Sequence, residues 1–345
     1  MRIGVWMVAM MLGGAAAAGP AAAQDSVANF YRGKQIDLFI GTSAGGGYDT
    51  YARLVARHFA KHMPGNPSLV PQNMPGAGSN KATAYIYNVA KKDGTAMGAV
   101  FSGAIMEPLL GDKTQVQHDP AKLVYVGSAN NEVFFCFTWA SSPVKTFKDA
   151  FTKQAVLAAS ADGGSTKDYP VMENNLLGTK FKVVAGYPGS NEMTHAVEQG
   201  EADGQCGYGW SSLMGAHPDW YTQHKINFLA QEALKGHPTM NQMGVPLVID
   251  FAKTPEDRQA MELVLGQLVF GRPYILPPGV PEERVTALRK AFMDTLADKD
   301  LLAEAAKARL DINPVAGEAV QQLVAKMYAT PAAIVERARQ ALIMK

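Results

Sequence analysis

The stretch that most constrains this chain is Phe39-Ile-Gly-Thr-Ser-Ala-Gly-Gly-Gly-Tyr-Asp-Thr-Tyr-Ala-Arg53, where a short apolar segment runs directly into glycine. Ile36 to Ile40 reads as a buried strand and Gly45-Gly46-Gly47 as a turn. Tyr51, Leu54, Val55 and Phe59 then recur at helical spacing. Asp49 can cap the new helix, whose first N–H groups lack intrahelical partners and point beyond the strand end. Such a turn binds an anion through N–H groups and the helix dipole, with no need of a cationic side chain. A bland strand-to-helix turn has the same glycines, so the rest of the chain has to decide.

Nucleotide patterns fail here. No Lys follows Gly46 or Gly47 as a P-loop requires, and the dinucleotide fingerprint counted from Gly45 and Gly47 ends on Thr50. A second near-match, Gly76-Ala-Gly78-Ser-Asn, reaches Lys81 where glycine is needed. A glycine-lined anion site survives these tests.

Residues 1–23 read as a secretory signal peptide: Arg2, an apolar run from Ile3 to Ala18, and small residues at Ala21-Ala22-Ala23, which makes Gln24 the expected mature start. Removing Arg2 from 32 basic residues leaves 31 against 31 acidic ones. A neutral chain without a basic run argues against nucleic acid and against an anionic membrane surface. The two cysteines, Cys136 and Cys206, form one disulfide or remain two buried thiols. Without several histidines they do not make a metal site, and no histidine lies near either in sequence.

Along the chain, strands alternate with helices. Leu69 to Asn73 leads through Met74-Pro75-Gly76-Ala77-Gly78 to a helix expected from Asn80 to Ala90 with Ser79 as its cap. Strands are expected at Met97 to Phe101, Leu123 to Val126 and Val133 to Trp139, and a helix after the Thr146-to-Asp149 capping pattern. Ala155 to Ala159 enters a glycine-and-hydroxyl turn, Ser160 to Thr166. Phe181 to Ala185 enters another, Gly186 to Ser190, with Ser190 capping a helix, and Gln205 to Trp210 follows. The C-terminal third reads as helical, with starts at Thr254-Pro255 and Pro281 and a core stripe from Val320 to Tyr328. This pattern implies α/β lobes with ligand-binding turns beyond the carboxyl ends of parallel strands, gathered in two clusters on either side of residue ~130.

Catalytic patterns are weak. Gly209-Trp-Ser211-Ser-Leu213 lacks the last glycine of a nucleophile elbow. His58 and His62 share a helix face, but Phe59 stands where a zinc-protease motif needs Glu. His195 reads as a surface residue, and His118, His217, His224 and His237 as loop residues. Binding is favoured over catalysis, with no enzyme activity and no cofactor expected.

In this context Gly45-Gly46-Gly47-Tyr48-Asp49-Thr50-Tyr51-Ala52-Arg53 resembles the Gly-Gly-x-x-Asp-x-x-x-Arg opening of the TctC-like, or Bug, receptors of tripartite tricarboxylate transporters. Asn73-x-Pro75-Gly76-Ala77-Gly78 is similar to that family's second motif, and Asp93-Gly94-Thr95-Ala96 to its Asp-Gly-x-Thr. Ser160 to Ser165 and Tyr187-x-Gly189 resemble its later binding turns. The resemblance implies a two-lobed, Venus-flytrap α/β fold of the type II kind: lobe 1 from residues 24–128 plus 230–345, lobe 2 from 129–229, and a carboxylate in the cleft between them. It puts ligand contacts on Ser43, Gly46, Gly47, Tyr48, Asp49 and Ala77 in the first lobe and on Gly164, Ser165, Thr166 and Tyr187 in the second. If it holds, Cys136 and Cys206 lie on neighbouring strands of lobe 2, open to a disulfide, and Tyr208 and Trp210 can wall the cleft. Ala159, Asp162 and Asp168 depart from the family pattern in the second turn, which leaves dicarboxylates, aromatic acids and amino acids all open. The expected role is a monomeric periplasmic receptor that hands a small organic carboxylate to a membrane transporter. The alternative is a ligand-loaded sensor subunit for a membrane histidine kinase.

Overall fold

The computed structural model describes residues 20–111, 116–160, 164–187 and 189–345. Residues 1–19 of the expected leader, the centre of the second turn at 161–163, and Pro188 lie outside the described residues. The helix Pro20–Tyr31 runs across the expected leader end at Ala23. Among the described residues no helix is long and apolar enough to cross a membrane.

Eleven strands of the described residues form two sheets. The strands β1 (Gln35–Ile40), β2 (Ser68–Asn73), β3 (Ala96–Ala99) and β4 (Val124–Ser128) belong to the first sheet. The strands β5 (Phe134–Trp139), β6 (Ala155–Ala159), β7 (Phe181–Ala185), β8 (Gly204–Gly209) and β9 (Ile226–Glu232) make the second. The chain then returns to the first with β10 (Pro273–Leu276) and β11 (Val315–Ala316). The orders are β11-β4-β10-β3-β1-β2 and β7-β6-β8-β5-β9. β1 is parallel to β2 and β3, whereas β10 is antiparallel to β3 and β4; in the second sheet β5 is antiparallel to β8 and β9.

Strand β1 carries apolar residues on both faces towards its carboxyl end. Ile36, Leu38 and Ile40 enter one core with Tyr51, Leu54, Val55 and Phe59 of the helix Gly47–Phe59. Phe39 points the other way, into a core with Ala82 and Ile86. Both sheet faces are covered, as a parallel strand in an α/β layer requires. β5 divides likewise, with Phe135 and Phe137 in an aromatic core and Cys136 on the opposite face. The core that holds Phe39 continues through Met261, Val264 and Val335 to Cys136, Leu157 and Phe181 of the second sheet. The helices Pro255–Leu265 and Ala332–Ala341 pack together there, and the latter also touches helices of both halves, Ser102–Leu110 and Ser165–Met172.

Several local expectations change. The C-terminal third contains β10 and β11 as well as helices; runs of four and two residues are too short to show a period. β9 belongs to the second sheet through Glu232. Ser79 precedes the helix Asn80–Asn88 without capping it by its side chain, because its Oγ donates to Gly41 O and accepts from Phe101 N–H instead. Ser190 is the first residue of its helix and Gly189 the cap residue. Thr146 and Asp149 exchange capping bonds, yet only a 3₁₀ turn, Asp149–Phe151, follows. Thr254 caps as expected, accepting from Asp257 N–H at 3.0 Å.

Cys136 and Cys206 are bonded across the β5–β8 pair, closing a separation of 70 residues. A loop of that length removes about 4 kcal/mol of chain entropy from the unfolded state. Beside the disulfide lie Glu173 and Glu232, both fully buried. Burial and the Glu232 charge push Glu173 well above the usual carboxylate range. It therefore keeps its proton, which it donates to Glu232, itself pushed up to about 8 by burial. A carboxyl whose folded pKa is raised favours the folded state in acid and loses that contribution as the unfolded form ionises first. The free energy of unfolding should therefore fall as pH rises from 4.5 to about 8, where Glu232 ionises, and fall less steeply above it while Glu173 keeps its proton. Glu232→Gln should flatten that slope in denaturant titrations at several pH values. An unchanged slope in the variant would rule out this carboxyl pair as its source.

Candidate functional site

The chain passes between the sheets at the ends of β4 and β9 and the starts of β5 and β10. Ser128, ending β4, pairs with Pro273, the first residue of β10, and Phe134, starting β5, pairs with Gly209 and Glu232 at the ends of β8 and β9. The glycine turn after β1 faces this junction through Tyr48, whose ring packs on Phe101 with centroids 4.4 Å apart.

The first turn is built around Asp49. Its carboxylate accepts from Gly45 N–H at 2.9 Å, Asn73 Nδ2 at 2.8 Å and Arg53 Nε at 3.0 Å. Burial pushes this carboxyl up, but the hydrogen bonds from Arg53, Gly45 and Asn73 outweigh it and hold the group below its usual value. The helix cap residue is Gly46, not Asp49. From the third helical position Asp49 reaches back to Gly45, whose φ of +87° suits glycine. The carboxylate is thus consumed in shaping the turn. The N–H groups of Gly47, Tyr48 and Asp49 are left without an intrahelical acceptor.

Next to these N–H groups stands a side chain that sequence reasoning missed. Arg272 is 4% exposed, and its guanidinium carbon lies 4.1 Å from the Tyr48 ring centroid and 5.2 Å from that of Tyr51. A methyl group on Gly47 would stand 3.5 Å from its Nη2. The turn expected to need no cation therefore has one at its floor. Arg272 Nη2 donates to Glu132 Oε2 at 3.1 Å, and the same oxygen accepts from Ser211 Oγ at 2.6 Å. Burial disfavours charge on Arg272, but Tyr48 and Glu132 outweigh it and keep the guanidinium ionised. Its Nε has no hydrogen-bond partner. The backbone fixes its position: Arg272 N–H donates to Ser128 Oγ at 3.0 Å, and its carbonyl accepts from Ala129 N–H. The sequence signal was a lone charge, Gly271-Arg272-Pro273, before an apolar run.

In the second half, the helix Ser165–Met172 begins after Gly164. Thr166 Oγ1 accepts from Ser160 N–H at 2.9 Å, and Ser165 Oγ donates to Gly207 O at 3.2 Å. Both hydroxyls hold the turn together. Gly207 has φ +64°, and a Cβ there would strike Ser165 and Thr166 backbone atoms, so glycine lets β8 approach this helix start. Trp210 stacks on His237 with centroids 4.5 Å apart and borders a hollow of about 400 Å³ with Met214, Arg309 and Asp311. Tyr208 does not reach a cleft wall; it packs against Phe135 and Phe137 in the aromatic core. Tyr187 is half-buried against that core, while Ser43 and Ala77 are exposed near the first turn.

The chain Ser211–Glu132–Arg272–Tyr48 thus ties the start of the helix Trp210–Ala216 to the glycine turn. Tyr51 joins it by donating its OH to Asp311 O at 2.7 Å, beside the Trp210 hollow. Apart from His237, the histidines singled out lie elsewhere: His58 and His62 pair with Glu304 and Asp298, each at 2.8 Å, and His195 is exposed.

No known family model and no curated protein sequence matches this chain. Solved structures do. A TctC solute binding protein from Polaromonas superimposes with a TM-score of 0.65 at 16% identity, over 89% of this chain and 99% of that one. The periplasmic binding protein BugD gives 0.65 at 18% identity, over 90% and 98%. MatC from Rhodopseudomonas palustris, with bound malate, gives 0.64 at 18%, over 90% and 99%. The chain has the two-lobed α/β fold of TctC- and Bug-type periplasmic binding proteins.

Proposed function

We propose that the protein is an exported solute-binding receptor that captures a small organic carboxylate between its lobes and delivers it to a tripartite tricarboxylate-type membrane transporter. The observation that carries this reading is the Arg272 guanidinium, buried at the start of the helix Gly47–Phe59 with an unpartnered Nε. Helix N-terminal N–H groups and a guanidinium converge on one place, a combination that suits a carboxylate. Glu132 offsets part of the charge, so the site attracts an anion without carrying a full unpaired cation in the empty state. Support also comes from the fold shared with a malate-bound protein. On this reading the first lobe comprises residues 24–128 and the segment after β9, and the second comprises 129–232.

Glu132 and Arg272 lie on the two chain passages between the sheets, so the ion pair sits where closure would pivot. Small-angle scattering should give a smaller radius of gyration when ligand saturates the protein. An unchanged radius at saturation would argue for a fixed pocket.

Calorimetry against a panel of organic acids that includes malate and adipate tests the site. Removing Arg272 alone strands a buried carboxylate and should cost about 3–5 kcal/mol of stability. The informative variant is therefore Arg272→Met with Glu132→Gln, which removes both charges. It should stay folded and bind its best acid about 1.5–3 kcal/mol more weakly. A folded double variant with wild-type affinity would sink the proposed site.

A further inference from the structure

Beneath the second turn lies a cluster that carboxylate capture does not use. Cys136 and Cys206 Sγ and one carboxylate oxygen each from Glu173 and Glu232 all lie within 4.8 Å of one another, and all four residues are fully buried. Cys206 Sγ is 4.0 Å from Glu173 Oε2. Glu232 Oε2 accepts Gly207 N–H at 2.6 Å, which ties the cluster to the strand that braces Ser165. Glu173 Oε1 and Glu232 Oε1 receive no hydrogen bond from any other group, which leaves them only a proton shared between the two carboxyls. Two fully buried carboxyls without a cation or a full set of donors are costly unless they serve something else.

We propose that the dithiol form of this cluster is a binding site for one zinc-class divalent cation, ligated by Cys136, Cys206, Glu173 and Glu232. Thiolate and carboxylate bonds of about 2.0–2.3 Å at tetrahedral angles put ligand atoms ~3.6 Å apart; the widest spacings, up to 4.8 Å, contract slightly, while the two sulfurs separate from bonding distance once reduced. The ligands come from β5, β8, the turn Glu173–Leu177 and the end of β9, so rigid neighbouring elements hold them rather than one mobile loop. The cation takes the place of the shared proton and satisfies the two orphan oxygens. The disulfide excludes it, since bonded sulfurs are neither anionic nor free to ligate. Site and disulfide are therefore alternative states of one pair of cysteines.

The balance is simple. A phosphine reductant attacks one sulfur and breaks the S–S bond; water then supplies oxygen to the phosphine oxide and its two protons to the thiols. Metal binding displaces both thiol protons and the carboxyl proton. Four anionic side chains then surround a dication, and the Gly207 N–H bond to Glu232 offsets part of the surplus negative charge.

Cobalt(II) is the probe, because thiolate ligation gives it a charge-transfer absorption and a tetrahedral site gives it intense visible bands. The full chain is unfolded, reduced with the phosphine and refolded with and without cobalt, alongside protein kept in the disulfide form. The expected result is one cobalt per reduced chain, with thiolate charge transfer, displaced by zinc and absent from the disulfide form. Glu173→Gln and Glu232→Gln should each lower cobalt affinity at least tenfold with the charge-transfer band retained. Refolding of the reduced chain only when cobalt is present would support the site equally. A reduced chain that folds without taking up cobalt, one that neither folds nor binds with cobalt present, or cobalt bound without thiolate charge transfer, as at His58 and His62, would each overturn it.

Discussion

The buried ion pair between Glu132 and Arg272 is the interaction on which the arrangement of the candidate site depends. Both side chains are 4% exposed, and each lies on one of the two passages of the chain between the sheets. A charge in that position is tolerable only with a partner. Arg272 therefore holds Glu132 at the junction, Glu132 holds Ser211, and the guanidinium face that remains lies against Tyr48. A side chain at Gly47 would stand against the Arg272 guanidinium, and Gly45 holds a positive φ.

Two kinds of polar group can be told apart in the first turn. Asp49 looks like a ligand-binding residue because it sits amid the glycines, but its oxygens are occupied by Gly45, Asn73 and Arg53. Its contribution is the shape it imposes on the turn. The same holds for Ser165 and Thr166, whose hydroxyls brace Gly207 and Ser160.

The layered α/β architecture was legible because β1, β6 and β7 are mainly apolar segments that end in glycine-rich turns, a local signal. So were the helices that start at Pro255 and Glu282, where Thr254 and Pro281 mark the beginnings. What escaped was non-local. Arg272 lies far along the chain from Gly47, and nothing around Gly271-Arg272-Pro273 indicates which strand end it will meet. β10 was hidden for a related reason: four residues inserted antiparallel between β3 and β4 carry no period of their own. Tyr208 was misread because Trp210, two residues on, does border a hollow: β8 ends at Gly209 and Trp210 opens the next helix, while Tyr208 stays within the aromatic core. The carboxylates beside the cysteines were equally invisible, since Glu173 and Glu232 reach Cys136 and Cys206 only through the packing of β5, β8 and β9.

The central claim is that one carboxylate is held jointly by the first helix start and Arg272. A crystal structure with the tightest-binding organic acid tests it most directly. The account predicts carboxylate oxygens about 2.7–3.1 Å from N–H groups of Gly47 or Tyr48 and from the Arg272 guanidinium. A ligand seated in the hollow beside Trp210, or one whose carboxylate meets the turn while Arg272 points away, would contradict it.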